Sequence, residues 1–141
     1  MVILLDTNVA LNYIFKRDPF YSESDKIMTM CAEKKVDGYL AFHSLSTIWY
    51  VLRKMPDDER RGWLKNLCSV LGIAGTTNEE VKEALEKVQF KDFEDCLQDK
   101  CARHIHADYI VTGNKKDFTY AETKTINPLE FCALFETGDD K

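Results

Sequence analysis

Short runs of aliphatic and aromatic residues recur along the chain, each with the length of a strand buried on both faces. The first run, Val2–Leu5, is continuous and aliphatic, which is typical of a parallel strand covered by helices on both sides. Further runs predict strands at residues 38–42, 71–74, 109–112 and 125–126, of which 71–74 is the weakest. The pattern therefore indicates a sheet of about five strands.

Between these runs, apolar residues recur at the spacing of helices with one buried face. Prolines punctuate this pattern, because Asp18-Pro19 and Pro56 each end a helix and Asn127-Pro128 begins one. Thr77 and Glu80 have the spacing of a capping box. The predicted helices cover residues 9–14, 22–35, 44–52 (capped by Ser44 or Ser46), 60–70, 78–88, 92–105 and 129–135.

Strands that alternate with helices form right-handed crossover units, in which the strands run parallel. The predicted fold class is therefore α/β, with three α/β/α layers around a central parallel sheet. A chain of 141 residues can bury one sizeable core but leaves no room for a second domain. We accordingly expect a single domain spanning residues 1–141.

Polar residues follow three of the predicted strands at the points where those strands end. Asp6 comes directly after the first strand, His43-Ser44 after the second, and Asn114 to Asp117 after the fourth. Because ligands of open α/β sheets gather at the carboxyl ends of the strands, these segments should share one edge. Asp6 is the leading candidate for a metal ligand, since an acid after a buried strand must face the crevice or lie buried without a partner. Helix capping is the alternative role.

The segment Asp92-Phe93-Glu94-Asp95 contains three carboxylates at a predicted helix start. One interpretation makes Asp92 the helix cap and leaves the neighbouring acids to interact with the helix dipole. In the other, Asp95 and Glu94 reach the crevice that contains Asp6. The buried face of this helix is expected to be an i, i+4 stripe of Phe93, Leu97, Cys101 and Ile105.

Asn114 and Asp117 offer an amide carbonyl and a carboxylate to the same edge, with an ordinary solvated turn as the alternative. Magnesium prefers oxygen ligands, keeps several waters and needs only one or two protein carboxylates. Asp6, Asp95 and one more oxygen donor would therefore suffice to hold it. Such an ion activates water and stabilises the charge that develops on a phosphate.

The composition of the chain excludes several classes of function. A net charge of −5 argues against coating nucleic acid by charge alone, whereas an acidic enzyme can meet phosphate through a bound cation. The five scattered cysteines are expected to be reduced core thiols. The histidines lack zinc spacing, and no glycine-rich phosphate loop or serine nucleophile elbow occurs. The chain also lacks an apolar run long enough for a bilayer, so we expect a cytoplasmic protein.

The motif Leu4-Leu5-Asp6-Thr7-Asn8-Val9 resembles the opening of PIN-domain ribonucleases. Residues 44–54 resemble the helix in which this family normally carries a second acid. Residues 94–97 and 109–118 are similar to its third and fourth acidic blocks, and residues 126–131 to its closing strand and helix. The ordered set spans nearly the whole chain and is far more specific than any single piece.

The resemblance implies a Mg²⁺- or Mn²⁺-dependent endoribonuclease, often the toxin of a bacterial toxin–antitoxin pair, commonly homodimeric and inhibited by a protein partner. The metal ligands would be Asp6, Asp95 and Glu94, with Asn114 and Asp117 completing the catalytic set. The expected substrate-binding residues, which would contact RNA, are Thr7, Asn8, Ser44, Thr47, Arg53, Lys54, Lys115 and Lys116. For the basic residues, ordinary solvated surface charge is the alternative.

Two positions depart from the family pattern. Thr47 stands where the third helix usually carries an acid, and Asn114 stands where the fourth acid is usual. We interpret this reduced acidic set as the trait of a branch of the family. It removes up to two negative charges, which weakens divalent-ion binding unless Asp117 or Glu94 compensates.

Two other functions fit part of the pattern. A non-catalytic PIN-like module that binds RNA or a protein partner would explain the neutral residues Thr47 and Asn114. A phosphatase of the haloacid-dehalogenase type also places an Asp after its first strand. That family needs a second Asp two residues later, and position 8 is Asn.

Overall fold

A computed structural model describes residues 1–136, so the last five residues of the expected domain lie outside the described residues. The described chain contains one five-stranded sheet with the strand order β3-β2-β1-β4-β5. All four strand pairings are parallel. The strands are β1 (Val2–Leu5), β2 (Asp37–Ala41), β3 (Gly72–Ala74), β4 (Tyr109–Val111) and β5 (Thr125–Ile126). The predicted central parallel sheet is confirmed.

Seven α-helices cover the two faces of this sheet within the described residues. They are α1 (Thr7–Phe15), α2 (Tyr21–Ala32), α3 (Phe42–Val51), α4 (Asp57–Val70), α5 (Asn78–Glu86), α6 (Phe93–His104) and α7 (Pro128–Leu134). A short 3₁₀ helix, Lys115–Phe118, follows β4. This arrangement confirms the three-layer α/β/α fold class.

Alternate side chains of β1 divide the core between the two faces. Ile3 and Leu5 belong to a cluster that includes residues of α1 to α4 and α7, such as Ile27 and Phe131. Leu4 belongs to a second cluster, which includes Cys101 and other residues of α5 and α6. Since successive side chains of a strand point to opposite faces, β1 is buried on both sides. The end of β1 therefore lies in the middle of the molecule.

The structure corrects the predicted start of α3. The helix begins at Phe42, directly after β2, and Ala41 occupies the N-cap position without a side-chain cap. The predicted caps, Ser44 and Ser46, both lie inside the helix. A helix that continues straight out of a strand carries no capping residue by which its start could be recognised.

Other helix starts also differ from the prediction, by one to three residues, and α1 begins at Thr7 where residue 9 was predicted. α4 begins at Asp57, three residues before the predicted start at residue 60, and its first turn contains three acids that favour a helix N-terminus. α2 begins at Tyr21 and ends at Ala32. The capping box of Thr77 and Glu80 is confirmed, as is the Asn127 cap of α7.

The buried face of α6 also differs from the predicted stripe. Phe93 is 42% exposed, and Leu97 and Ile105 are only partly buried, which leaves Cys101 as the stripe's one fully buried member. Gln98 and Asp99 are instead among the buried residues of this helix. Leu97 and Ile105 nevertheless pack against the second core cluster, so only Phe93 departs from the predicted stripe, and α6 buries polar side chains in addition.

Four of the five cysteines are buried thiols, as expected, whereas Cys68 is exposed. Burial raises the pKa of Cys31 to about 12 and that of Cys132 to about 11, so both thiols stay protonated at neutral pH. Within residues 1–136, no helix has the length and apolar character needed to cross a membrane.

Candidate active site

Asp6 lies at the carboxyl end of the central strand, where it is 7% exposed. Its backbone amide donates to the Val111 carbonyl at 2.9 Å, which continues the pairing of β1 with β4. Its carboxylate accepts from Gln98 Nε2 at 3.0 Å and from Thr112 Oγ1 at 2.8 Å. Although Asp6 is the N-cap residue of α1, its side chain makes no capping bond. The carboxylate therefore points into the site and does not cap the helix.

Asp95 reaches the same place from the first turn of α6. Gln98 Nε2, which binds Asp6, also lies 3.4 Å from Asp95 Oδ1, so one amide group spans two carboxylates. Asp92 is the helix cap, because its Oδ1 accepts the backbone N–H of Asp95 at 3.2 Å. Asp92 therefore caps the helix, as the first interpretation predicts, and Asp95 faces Asp6, as the second predicts.

The pKa of Asp95 is raised to about 7. Burial is the largest cause, followed by repulsion from Asp92, Asp6, Asp117 and Glu94. Repulsion among carboxylates raises a pKa because the charged form is disfavoured near other negative charges. The acids of three separate segments therefore interact at one edge of the sheet, and this edge, with Asp6, Asp92, Glu94, Asp95 and Asp117, is called the acidic edge.

The third of these segments follows β4. The hydroxyl of Thr112 donates to Asp6 and accepts the backbone N–H of Asn114 at 3.0 Å, so it connects the two strand ends. The Asn114 side-chain amide donates to Asp117 Oδ2 at 2.8 Å. Asn114 and Asp117 consequently form a pair at the exposed rim of the site, beside the buried Asp6.

Helix α3 holds the acidic segment from the other side. Thr47 Oγ1 donates to Glu94 Oε2 at 3.2 Å, and His43 Nε2 donates to the Glu94 carbonyl at 3.0 Å. Thr47, which stands where the family pattern has an acid, is therefore in contact with an acid from α6. Glu94 brings a negative charge to this part of the site from a different helix.

The side chains of Thr7 and Ser44 connect two helices of the site. Their hydroxyl groups are hydrogen-bonded to each other at 2.7 Å, and both side chains are buried, Ser44 at 0% exposure. The two hydroxyls are thus occupied with each other, and the contact of these two residues with RNA stays a prediction. The pair instead joins α1 to α3 just behind the acidic edge.

The predicted basic contacts are dispersed. Arg53 lies in the turn after the end of α3, where its guanidinium stacks on the Tyr50 ring at 4.2 Å. Lys115 forms an ion pair with Glu130 at 3.0 Å. Lys116 is exposed on the 3₁₀ helix, and no carboxylate among residues 1–136 pairs with it.

The oxygen donors of the site determine whether it can hold a divalent metal ion. Among residues 1–136, no three His, Cys, Asp or Glu side chains are grouped closely enough to enclose one. The site does contain two carboxylates, Asp6 and Asp95, and the buried Gln98 Oε1, an acceptor without a partner in the described chain. Since Mg²⁺ uses oxygen donors and often keeps most of its waters, this set fits an ion held by few protein ligands.

Two of the residues that build the site were not singled out from the sequence. Gln98 lies one helical turn after Asp95, a spacing that places both on one face. Thr112 extends the register in which Leu5 pairs with Val111, so it lies opposite Asp6. Both signals were available, but each depends on knowing which strands and helices are neighbours.

Comparisons with known proteins show the family of the chain. A family model described as the PIN domain matches residues 2–116. Ribonuclease VapC1 of Aquifex aeolicus (strain VF5) is 25% identical over 139 residues, which cover 96% of each chain. These matches extend over the strands and helices that supply the acidic edge.

Two solved structures have a similar fold. The structure of VapBC2 from Rickettsia felis, bound to a promoter DNA fragment, has a TM-score of 0.69 at 20% identity, covering 90% of this chain and 98% of that one. VapC20 of Mycobacterium tuberculosis, a sarcin–ricin loop cleaving toxin, has a TM-score of 0.65 at 18% identity, covering 89% and 99%. Because the family model matches well over half of the residues, this chain belongs to the PIN-domain family.

Proposed function

We propose that the protein is a divalent-metal-dependent endoribonuclease that hydrolyses RNA phosphodiester bonds. One observation carries the proposal: a buried amide, Gln98 Nε2, contacts the carboxylates of both Asp6 and Asp95. Bringing two acids together in a partly buried place costs stability, which is typical of functional sites. The similarity to a protein named ribonuclease VapC1 supports RNA as the substrate.

The metal ion, Mg²⁺ or Mn²⁺, would be held by Asp6 and Asp95, with Glu94 as a further ligand. When bound, it supplies positive charge that stabilises the phosphate and promotes deprotonation of water. Residues of the protein orient the ligands and accept the proton. Gln98 and Thr112 orient Asp6, while Asp95 keeps Oδ2 free of hydrogen bonds from residues 1–136 and can accept the proton of the attacking water.

The remaining residues of the proposed site lie at its exposed rim. The Thr47 hydroxyl orients Glu94 toward the site, and the Asn114 amide orients Asp117. Asn8, two residues after Asp6, and Lys116, directly before Asp117, are exposed and would contact the RNA chain. A phosphate bound by Lys116 would offset part of the repulsion between the acidic edge and the substrate.

A cleavage assay with a fluorescent single-stranded RNA tests this proposal. We expect cleavage that requires added Mg²⁺ or Mn²⁺, stops with a chelator, and falls at least about 100-fold in Asp6→Asn. Asp58→Asn, which removes an exposed acid of α4, is the matched control and should cleave normally. If Asp6→Asn cleaves as fast as the unaltered protein, the proposal fails.

A second candidate function is a PIN-like module that binds RNA or a protein without cleaving. Two observations favour it: among residues 1–136 no three metal-binding side chains form a group, and both oxygens of Asp6 already accept hydrogen bonds. Under this alternative, the same RNA is bound but stays intact at every metal concentration. The cleavage assay therefore distinguishes the two.

We also propose that the protein acts in the cytoplasm, as a homodimer and with an inhibitory antitoxin partner. The partner proposal is supported by solved structures of similar fold. They include VapBC-1 from Haemophilus influenzae, 15% identical, and FitAcB from Neisseria gonorrhoeae, 14% identical. Light scattering should give a particle of twice the 16.3 kDa chain mass. A small DNA-binding protein encoded next to this chain would support the antitoxin proposal.

A further inference from the structure

A pocket of about 510 Å³ opens beside the acidic edge, between the first turns of α1, α2 and α7. Asn8, which lines it, lies two residues after Asp6. Gly113, on another wall, directly follows Thr112, whose hydroxyl binds Asp6. Two walls of the pocket are therefore formed by residues that follow site residues closely along the chain.

The pocket has apolar walls of the kind that accept a flat ring. Phe20 is 56% exposed and Leu129 67% exposed, and both line the opening together with Pro19 and Pro128. Its volume lies in the usual range for small-ligand sites, which combine apolar walls with a few polar groups. Exposed aromatic side chains are also the surfaces on which unpaired bases stack.

Three polar side chains of the pocket have donors or acceptors without a partner in the described chain. Asn12 Oδ1 accepts a hydrogen bond from Arg17 at 3.4 Å, which leaves its Nδ2 donor without a partner among residues 1–136. Asn8 is exposed, and its side-chain amide is likewise unpaired in the described chain. Glu23 accepts from Cys132 only through its backbone carbonyl, so no described residue binds its carboxylate. The pocket thus offers amide donors and one carboxylate, which accepts hydrogen bonds only.

Among the four RNA bases, guanine matches this set. Its Watson–Crick edge presents two adjacent donors, N1–H and N2–H, beside the acceptor O6. Adenine and cytosine place a ring acceptor next to the amino group, and uracil has one donor between two carbonyls. A carboxylate repels such acceptors, so it favours guanine over the other three.

We propose that this pocket binds an unstacked guanine of the RNA substrate, next to the bond that is cut. Glu23 accepts from guanine N1–H and N2–H, the Asn8 and Asn12 amides donate to O6, and Phe20 stacks on the ring. Sequence-specific RNA recognition generally uses unpaired bases in this way. The inference rests on the proposed ribonuclease function for its choice of RNA as the ligand.

The test is an NMR titration of the full ¹⁵N-labelled chain with GMP, AMP, CMP and UMP, in a chelator and without metal. We expect GMP to shift the side-chain amide signals of Asn8 and Asn12 and the backbone signal of Gly113. The other nucleotides should need at least about tenfold higher concentrations for the same shift, the discrimination expected of a good bidentate contact.

Glu23→Gln keeps the shape of the side chain but replaces one acceptor with a donor, so it should abolish the preference for GMP. Glu33→Gln removes an equal charge from the far end of α2 and should leave the preference intact. The inference is overturned if the four nucleotides bind equally, or if Glu23→Gln still prefers GMP. It is also overturned if no nucleotide shifts these signals, which would leave the pocket to a protein partner.

The titration is independent of cleavage, so the two proposals can fail separately. A chain that prefers GMP but cuts no RNA supports the guanine pocket and refutes the ribonuclease proposal. A chain that cuts RNA with no preference for GMP refutes the guanine pocket alone.

Discussion

At the scale of single residues, the acidic edge is held together by neutral hydrogen-bond donors. Gln98, 2% exposed, places its amide between Asp6 and Asp95, and Thr112 donates to the other oxygen of Asp6. Donors that bind a carboxylate stabilise its charged form, which offsets the repulsion from nearby acids. Asp95 receives the weaker of the two Gln98 contacts and is the acid whose pKa is raised.

The raised pKa of Asp95 predicts how stability depends on pH. In the folded protein this pKa is about 7, against a reference value of 3.8, so the folded state binds the proton more tightly. Stability should therefore fall as pH rises from about 4 to about 7, and the loss persists above pH 7. In Asp95→Asn the melting temperature should match the unaltered protein near pH 4 and exceed it by several degrees at pH 8.

Thermal unfolding followed by circular dichroism across this pH range measures the effect, at roughly 4 °C for each kcal/mol. The control is Asp58→Asn, in which an exposed acid is replaced. An equal difference between Asp95→Asn and the unaltered protein at pH 4 and pH 8 would contradict the assignment.

Thr112 provides a second residue-scale prediction. Thr112→Val removes the donor to the buried Asp6 carboxylate and the acceptor for the backbone N–H of Asn114, which leaves one Asp6 oxygen without its buried donor. Such a loss costs about 1–3 kcal/mol. Urea unfolding should show a decrease of this size, whereas Thr112→Ser, which keeps the hydroxyl, should lose less than half as much. A Val variant as stable as the Ser variant would show that the hydroxyl is not needed.

At the scale of elements, the close approach of β2 to its neighbours predicts another difference. A side chain added at Gly38 would meet Cys31 Sγ and would lie 2.8 Å from Leu71 Cδ2. Gly38→Ala should therefore cost about 1–3 kcal/mol through overpacking. Gly62 lies within α4 and has open space around it, so Gly62→Ala should stabilise the protein by up to about 1 kcal/mol.

Urea unfolding of the two alanine variants gives a matched comparison, since the chemical change is the same. The expected signs are opposite. Equal effects at the two positions would mean that the space around Gly38 does not limit its side chain.

The elements that could be predicted are those with a local signal. Continuous buried runs identified β1 and β4, and the Thr77 capping box identified the start of α5. α3 could not be placed correctly, because its N-cap, Ala41, has no side chain that caps. α6 was placed and its apolar stripe was largely right, but its buried polar side chains were not predicted, since their partners lie on other elements.

Asp99 shows why such partners escape sequence analysis. It is buried in α6, and its carboxylate accepts the backbone N–H groups of Glu122 and Thr123, at 2.9 and 3.0 Å. It therefore holds the segment before β5 against the helix, although it looks from the sequence like one more acid of a charged helix. Its role depends on a contact 23 and 24 residues away, which no local pattern records.

At the scale of the whole molecule, strand order decides what meets at the site. β1 lies between β2 and β4, so Asp6, the start of α3 and the Thr112 segment converge at the carboxyl ends of three adjacent strands. Alternation of strands and helices was enough to predict this shared edge. It was not enough to predict that Ser44 would be buried or that Glu94 would contact Thr47, because both depend on how α3 packs against α1 and α6.

The proposed nuclease activity requires that Asp6 and Asp95 bind one cation, and calorimetric titration with Mn²⁺ tests this most directly. We predict binding at or below millimolar Mn²⁺, weakened at least about tenfold in both Asp6→Asn and Asp95→Asn and unchanged in Asp58→Asn. Absence of Mn²⁺ binding near millimolar metal, or equal binding by Asp6→Asn, would contradict it.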